Sequence, residues 1–284
     1  MSWPLKVSLA CLVALLAAAD APAQEDDQRL QGAVAKLQAE RPGTVDAYVI
    51  VAALDADPVF NREAREAGRV LARRFDAEGR TLVLAHDEGD DKADVEASPQ
   101  ELARALDDVA LKMNRDEDVL VLYTTSHGSP HNGLNFRDPE RGEAVITPTR
   151  LQAMLDHTGV KNRLVVLQAC FSGQFVPVLQ GPRTIVATAA SAQKSSFGCA
   201  AGNDWTFFGY AFVNQAMRTP DTFERQFRRA WVTILGWEQK AGYDPSSPQI
   251  SIGADTAAWL AALDAREPKT ASAPVGRPPE EVAQ

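Results

Sequence analysis

The sequence predicts an α/β fold in which a mostly parallel sheet of about six strands lies between two layers of helices. Short Val- and Leu-rich runs, at 119–123, 164–167 and 184–187, read as strands covered on both faces. These runs alternate with helix-period segments, the arrangement that builds a parallel sheet sandwiched by helices. Two of the runs end in a potentially reactive side chain followed at once by small residues: His127-Gly128, and Cys170 before Phe171-Ser172-Gly173. Parallel sheets bind ligands beyond the carboxyl ends of their strands, and His127 and Cys170 both fall there.

Element by element, a leading helix is expected over 26–38, a strand over 47–53 and a helix over 63–75 closed before Gly79. A second strand spans 81–85. Ser98-Pro99-Gln100-Glu101 supplies a cap, a first-turn proline and a capping-box glutamate, with Leu102, Leu106, Val109 and Met113 following at helical spacing. The third strand delivers His127, Thr147-Pro148 opens a helix to about His157, and the fourth strand delivers Cys170. A fifth strand over 184–189 leads into a polar loop from Ser191 to Asp204. Helices are expected near 206–217 and 221–240, the latter with Phe223, Phe227, Trp231 and Ile234 on one face, before a last strand over 249–252.

Composition bounds the setting. Lys6, the apolar stretch 7–19 and Ala21-Pro22-Ala23 read as a secretory signal peptide over residues 1–23. The stretch is too short to span a bilayer comfortably, so a periplasmic or secreted protein with no stable membrane span is expected. The net charge of −9, with no basic run, argues against nucleic acid as a partner. One domain over 24–266 can hold the core. From residue 267 onward, Pro268, Pro274, Pro278 and Pro279 mix with Ala, Ser and charge, and a disordered tail over 267–284 is expected.

The chemistry follows from residue types. A thiol at its ordinary pKa is only slightly ionised at neutral pH, so a nucleophilic cysteine needs an imidazole or another positive influence nearby. His127 can supply it. Gly128 lets backbone approach a substrate closely, and its amide and that of Cys170 can face a developing oxyanion. In an oxidising compartment Cys170 and Cys199 also have a plain reading as a disulfide, although Cys170 is placed at a strand end and a domain this large needs no staple. The other histidines fit other roles: His131 cannot share a helical metal face with His127 across Gly128 and Pro130, His86 opens an acidic solvated loop over 87–91, and His157 closes a helix. No metal or organic cofactor is called for.

His127-Gly128 and Gln168-Ala169-Cys170-Phe171-Ser172-Gly173 resemble the His-Gly and (Glu/Gln)-Ala-Cys-x-Ser-Gly signatures of caspases and of legumain-type (C13) cysteine peptidases. In caspases the histidine precedes the cysteine by about 50 residues; here the separation is 43. Ala187-Thr188-Ala189-Ala190, the stretch Lys194 to Cys199, and Asp204-Trp205 are similar to further legumain-type segments, as are 49–52 and Asn61-Arg62 with Glu66-Ala67. These matches run in order over about 46–215. The resemblance implies a caspase-like three-layer sandwich and an endopeptidase with Cys170 as nucleophile and His127 as acid/base, acting on peptide or protein substrates. It also makes Cys199 an ordinary family thiol.

By the same resemblance Arg62, Gln168, Ser196 and Asp204 line the pocket for the residue preceding the cleaved bond. Asp204 accepting from an amide nitrogen and Arg62 donating to its oxygen would suit asparagine, whereas Asp204 should repel aspartate. Two positions depart from the legumain pattern: Gln168 replaces a glutamate and Glu63 a histidine. Plain structural readings stand beside these: Arg62 as a first-turn surface residue, Ser196 as a loop cap and Asp204 as a helix N-cap. Two other functions fit the same residues, a transpeptidase or transamidase in which an amine replaces water, and a caspase-like binding module without turnover. Oligomeric state is not legible.

Overall fold

The computed structural model describes residues 21–87 and 92–279. Most of the expected signal peptide and of the acidic run after Asp87 lies outside the described residues. A six-stranded sheet runs in the order β2-β1-β3-β7-β8-β9, with β1 Ala47–Ala53, β2 Thr81–Leu84, β3 Val119–Thr125, β7 Asn162–Gln168, β8 Thr184–Thr188 and β9 Gln249–Ile252. All neighbours pair in parallel except β8 with β9. The α/β class, the parallel centre and the strand count are as the sequence predicts.

Strand alternation explains the layers. On β1, Val49 and Val51 enter one core and Tyr48 and Ile50 the other, because successive side chains leave opposite faces of a strand. The first core is closed by α2 (Pro58–Arg74), α6 (Phe223–Ala241) and α7 (Ala257–Ala265). The second is closed by α1 (Ala21–Lys36), α3 (Pro99–Ala110), α4 (Pro148–His157) and, with Leu179, the one-turn α5 (Val176–Leu179). At the start of α3 the Ser98 hydroxyl accepts from the Glu101 amide at 3.0 Å, the expected cap. No described helix is long and apolar enough to cross a membrane.

Four features differ from the sequence reading. Helix α2 begins at Pro58 rather than residue 63, since Asp57-Pro58 places proline at the first helical position. A separate three-stranded sheet, β4 (Gly128–Ser129), β5 (Gly133–Asp138) and β6 (Gly142–Ile146), follows His127; its strands are short, and β6 carries little alternation. The segment expected as a helix over 206–217 winds as π turns over Gly209–Gln215 and a tight turn over Ala216–Arg218.

The tail is the fourth and largest correction. Through residue 279 it is laid on the domain as a strap rather than disordered. Arg73 donates to the Thr270 carbonyl at 2.7 Å, and the Ser272 amide to the Arg218 carbonyl at 3.0 Å. The Val275 carbonyl accepts from Trp205 Nε1 and from Asn214 Nδ2, both at 2.8 Å, while its amide donates to Asn214 Oδ1 at 3.0 Å. Proline-rich composition denies this segment a helix or strand, but side chains of the domain satisfy its backbone groups, and composition alone does not reveal such partners.

Glu63 is wholly buried and ties the two halves of the site region together. Its carboxylate accepts from the Tyr123 hydroxyl on β3 at 2.6 Å, the Thr206 amide at 2.9 Å and the Thr206 hydroxyl at 2.8 Å. Burial pushes its pKa up, against these hydrogen bonds. Glu63→Ala strands the Tyr123 hydroxyl and the Thr206 amide without partners and should destabilise the protein by about 3 kcal/mol. Glu63→Gln, which keeps an acceptor in place, should cost less than half of that. Chemical denaturation of both variants checks the order.

Candidate active site

The register of two neighbouring strands builds the site. Thr125 on β3 pairs with Gln168 on β7, and His127 and Cys170 each lie two residues beyond that pair. Both therefore leave the sheet at the same height on adjacent strands. Where the chains emerge they touch: a Cβ on Gly128 would lie 2.0 Å from the Cys170 carbonyl oxygen, so this position admits only glycine. Immediately after Cys170 the chain turns sharply, Phe171 adopting a left-handed φ of 59° with its amide donating to the Lys194 carbonyl at 2.8 Å. Cys170 is partly exposed, and neither it nor Cys199 is in a disulfide.

The loop after β8 wraps the sulfur. Ser196 donates its amide to Cys170 Sγ at 3.3 Å, and the same sulfur lies 3.4 Å from the Ser196 carbonyl. The Cys170 thiol is drawn down to about 6, chiefly by a hydrogen bond from the Cys199 thiol, opposed by burial, and then by the Ser196 amide, the Ser195 side chain and the charge of His127. Cys199 is driven the opposite way, well above its ordinary value, by the same contact and by burial. Of the two thiols, Cys170 is thus the one held ready to ionise.

A residue that no sequence motif singles out joins His127. Asp57 occupies the N-cap position of α2 yet makes no capping bond; its Oδ2 lies 3.2 Å from His127 Nε2 and accepts from Arg137 at 2.9 Å. Phe60 packs edge-on against the imidazole with centroids 5.0 Å apart. The Asp57-Pro58 pair was the available signal, but it marks a helix start and says nothing of a histidine 70 residues away. His127 also borders a cleft of about 490 Å³ lined by Asp55, Ser129, Phe136, Arg137 and Glu143.

The four expected pocket residues fall into two groups around one loop. Gln168 is fully buried beneath the cysteine and faces Cys199, while Ser196 touches the sulfur through its backbone and keeps a buried hydroxyl with no hydrogen-bond partner among the described residues. Arg62 donates to the carbonyls of Ala201 at 2.6 Å and Asn203 at 2.5 Å, and its Nε lies 3.8 Å from Asp204. Asn203 Nδ2 reaches back to the Gly198 carbonyl at 2.8 Å, which links the groups. Glu63, next to Arg62 in sequence, points into the core instead. Asp204 makes no bond to the following helical segment that an N-cap would make; Thr206 does, its hydroxyl accepting from the Gly209 amide at 3.0 Å.

Two other histidines are structural. His86, expected in a solvated loop, is largely buried, with Nδ1 3.2 Å from Glu96 and 3.0 Å from Asp138, and so ties the end of β2 to the β5 strand. His157, at the end of α4, lies 2.8 Å from Asp107. Among the described residues no group of three or more His, Cys, Asp or Glu side chains is placed to hold a metal ion.

The model of the peptidase C13 family matches residues 103–257, a span that contains His127, Cys170 and the loop that wraps the sulfur. The chain belongs to the peptidase C13 family. It is therefore of the cysteine peptidase kind, a hydrolase. Among solved structures it resembles caspase-1 from Spodoptera frugiperda, with a TM-score of 0.52 and 13% identity over 75% of this chain and 91% of that one, a likeness that shows the shared fold. No curated protein sequence is detectably similar.

Alkylation of Cys170 by iodoacetamide, followed by mass spectrometry across pH 4–9, should accelerate with a midpoint near 6, because the thiolate is the reacting form. Cys199→Ala removes the largest stabiliser of that thiolate, and the midpoint should move upward. An unchanged midpoint would assign the effect to other groups. Gly128→Ala should abolish peptidase activity, since the added methyl cannot coexist with the Cys170 carbonyl 2.0 Å away.

Proposed function

We propose that the protein is an exported cysteine endopeptidase working by acyl transfer. The observation that carries this reading is the matched emergence of His127 and Cys170 from paired strands, with the Cys170 thiol lowered to about 6. The Cys170 thiolate attacks the peptide carbonyl and its electron pair forms the new S–C bond. The displaced carbonyl electrons collect on the oxygen, which accepts hydrogen bonds donated by the Gly128 and Cys170 amides. His127 as imidazolium protonates the departing amine as the C–N bond breaks, leaving a thioester on Cys170. The neutral imidazole then takes a proton from water, hydroxide attacks the thioester, and the thiolate leaves.

Asp57 orients the imidazole in this scheme. With Nε2 donating to its carboxylate, Nδ1 is the nitrogen left to exchange protons at the sulfur and the leaving amine. Arg62, Gln168, Ser196 and Asp204 form the recognition pocket for the residue before the cleaved bond, Gln168 as buried floor and Arg62 with Asp204 as rim. Export rests on the signal-peptide pattern over residues 1–23.

A positional-scanning peptide library tests the reaction. The purified protein should cleave peptides, and Cys170→Ala and His127→Ala should each lower turnover by roughly a thousandfold or more. Asp57→Ala should lower kcat more than it raises KM, since it touches the imidazole and not the substrate. Equal cleavage by the parent and Cys170→Ala would overturn the assignment.

A further inference from the structure

The strap does more than pack on the domain: it ends on the recognition pocket. At its tip the Arg277 amide donates to Asp204 Oδ2 at 2.8 Å, Arg277 Nε lies 3.5 Å from the same oxygen, and Arg277 Nη2 donates to the Gly202 carbonyl at 2.9 Å. Arg62 approaches Asp204 from the other side, on Oδ1 at 3.8 Å. One carboxylate thus stands between two guanidinium groups and a backbone amide.

The chain is shaped for this approach. Gly276 has a φ of +79°, and a Cβ there would lie 3.0 Å from Asp204 Cβ and 3.3 Å from Trp205 Nε1, so only glycine lets the backbone pass over the pocket rim. One residue earlier, Val275 is locked by Trp205 and Asn214 through three hydrogen bonds. The registration of Arg277 on Asp204 follows from these two fixed neighbours.

The charge balance of the rim changes with it. Arg62 and Asp204 alone cancel, and the sequence then argues that Asp204 repels an acidic side chain. Arg277 adds one positive charge and occupies an oxygen of Asp204, and Gln168 leaves the floor without the carboxylate that the legumain pattern carries. Ser196 contributes a buried hydroxyl that lacks a partner and can donate. What remains is a rim with donors in excess over acceptors, suited to a side chain that only accepts.

We propose that the C-terminal strap completes the pocket for the residue preceding the cleaved bond, and that Arg277, by neutralising Asp204, makes aspartate a substrate residue there at neutral pH. The inference rests on the endopeptidase reading above. Arg277 is a specificity-determining residue and takes no part in bond breaking.

Paired fluorogenic peptides that differ only in aspartate or asparagine before the cleaved bond test this on the full chain at pH 7. The parent should cleave both. Arg277→Glu exchanges one rim charge for its opposite, and the ratio of kcat/KM for the aspartate peptide to that for the asparagine peptide should fall roughly fivefold, the scale of partly exposed ion pairs. Arg277→Gln should give a smaller fall in the same direction, and 0.5 M salt should compress both differences. An unchanged ratio in both variants, or a rise in activity on both peptides by the same factor as expected of a strap that merely covers the cleft, overturns the proposal while leaving the peptidase intact. Cleavage of neither peptide, with Cys170-dependent cleavage elsewhere in the library, overturns it as well. If no peptide is cleaved in a Cys170-dependent way, the endopeptidase reading falls and this one with it.

Discussion

The parallel pairing of β3 with β7 is the constraint on which the rest depends. Because Thr125 and Gln168 are partners in that ladder, the residues two places on emerge side by side. A slip of one residue would turn every side chain of a strand to the wrong core, and both faces of these strands are filled, with Val121 and Val166 on one side and Leu122 and Val165 on the other. The hydrophobic effect on two faces at once therefore sets the height at which an imidazole and a thiol leave the sheet. The geometry of the candidate site is inherited from core packing.

Around that fixed pair, each loop supplies one adjustment. The glycine after His127 permits contact with the Cys170 carbonyl. The loop 194–199 brings an amide and a second thiol to the sulfur, and α2 diverts its N-cap carboxylate from capping to the imidazole. That diversion leaves the first turn of α2 short of one hydrogen bond and places the charge where a protonated histidine benefits from it. Glu63 anchors α2, β3 and the loop after β8 at one buried carboxylate, which keeps these adjustments in register with one another.

Much of this was legible in the sequence. The strand runs, the Ser98 cap and the two strand-end side chains gave the layers and the candidate pair, because apolar run length and turn residues report burial directly. The resemblance of 168–173 to legumain-type peptidases agrees with the family to which the chain belongs. What stayed hidden shares one cause: it depends on contacts between residues far apart in the chain. Asp57 reads as a helix cap until His127 is folded onto it. Cys199 reads as half of a disulfide or a family thiol until it lies on Cys170. The tail reads as disordered from its prolines, and only Asn214, Trp205 and Asp204 reveal that its backbone has somewhere to bind.

The central claim is that Cys170 carries the acyl group of a cleaved peptide between two proton transfers at His127. Acid quenching of the protein during turnover of a slowly hydrolysed peptide, followed by proteolysis and mass spectrometry, reads this directly. The account predicts a thioester on the fragment containing Cys170, accumulating when His127 is replaced and an activated ester is supplied as substrate. An acyl group found on Cys199 or on any other residue, or its absence while product is still being formed, would contradict it.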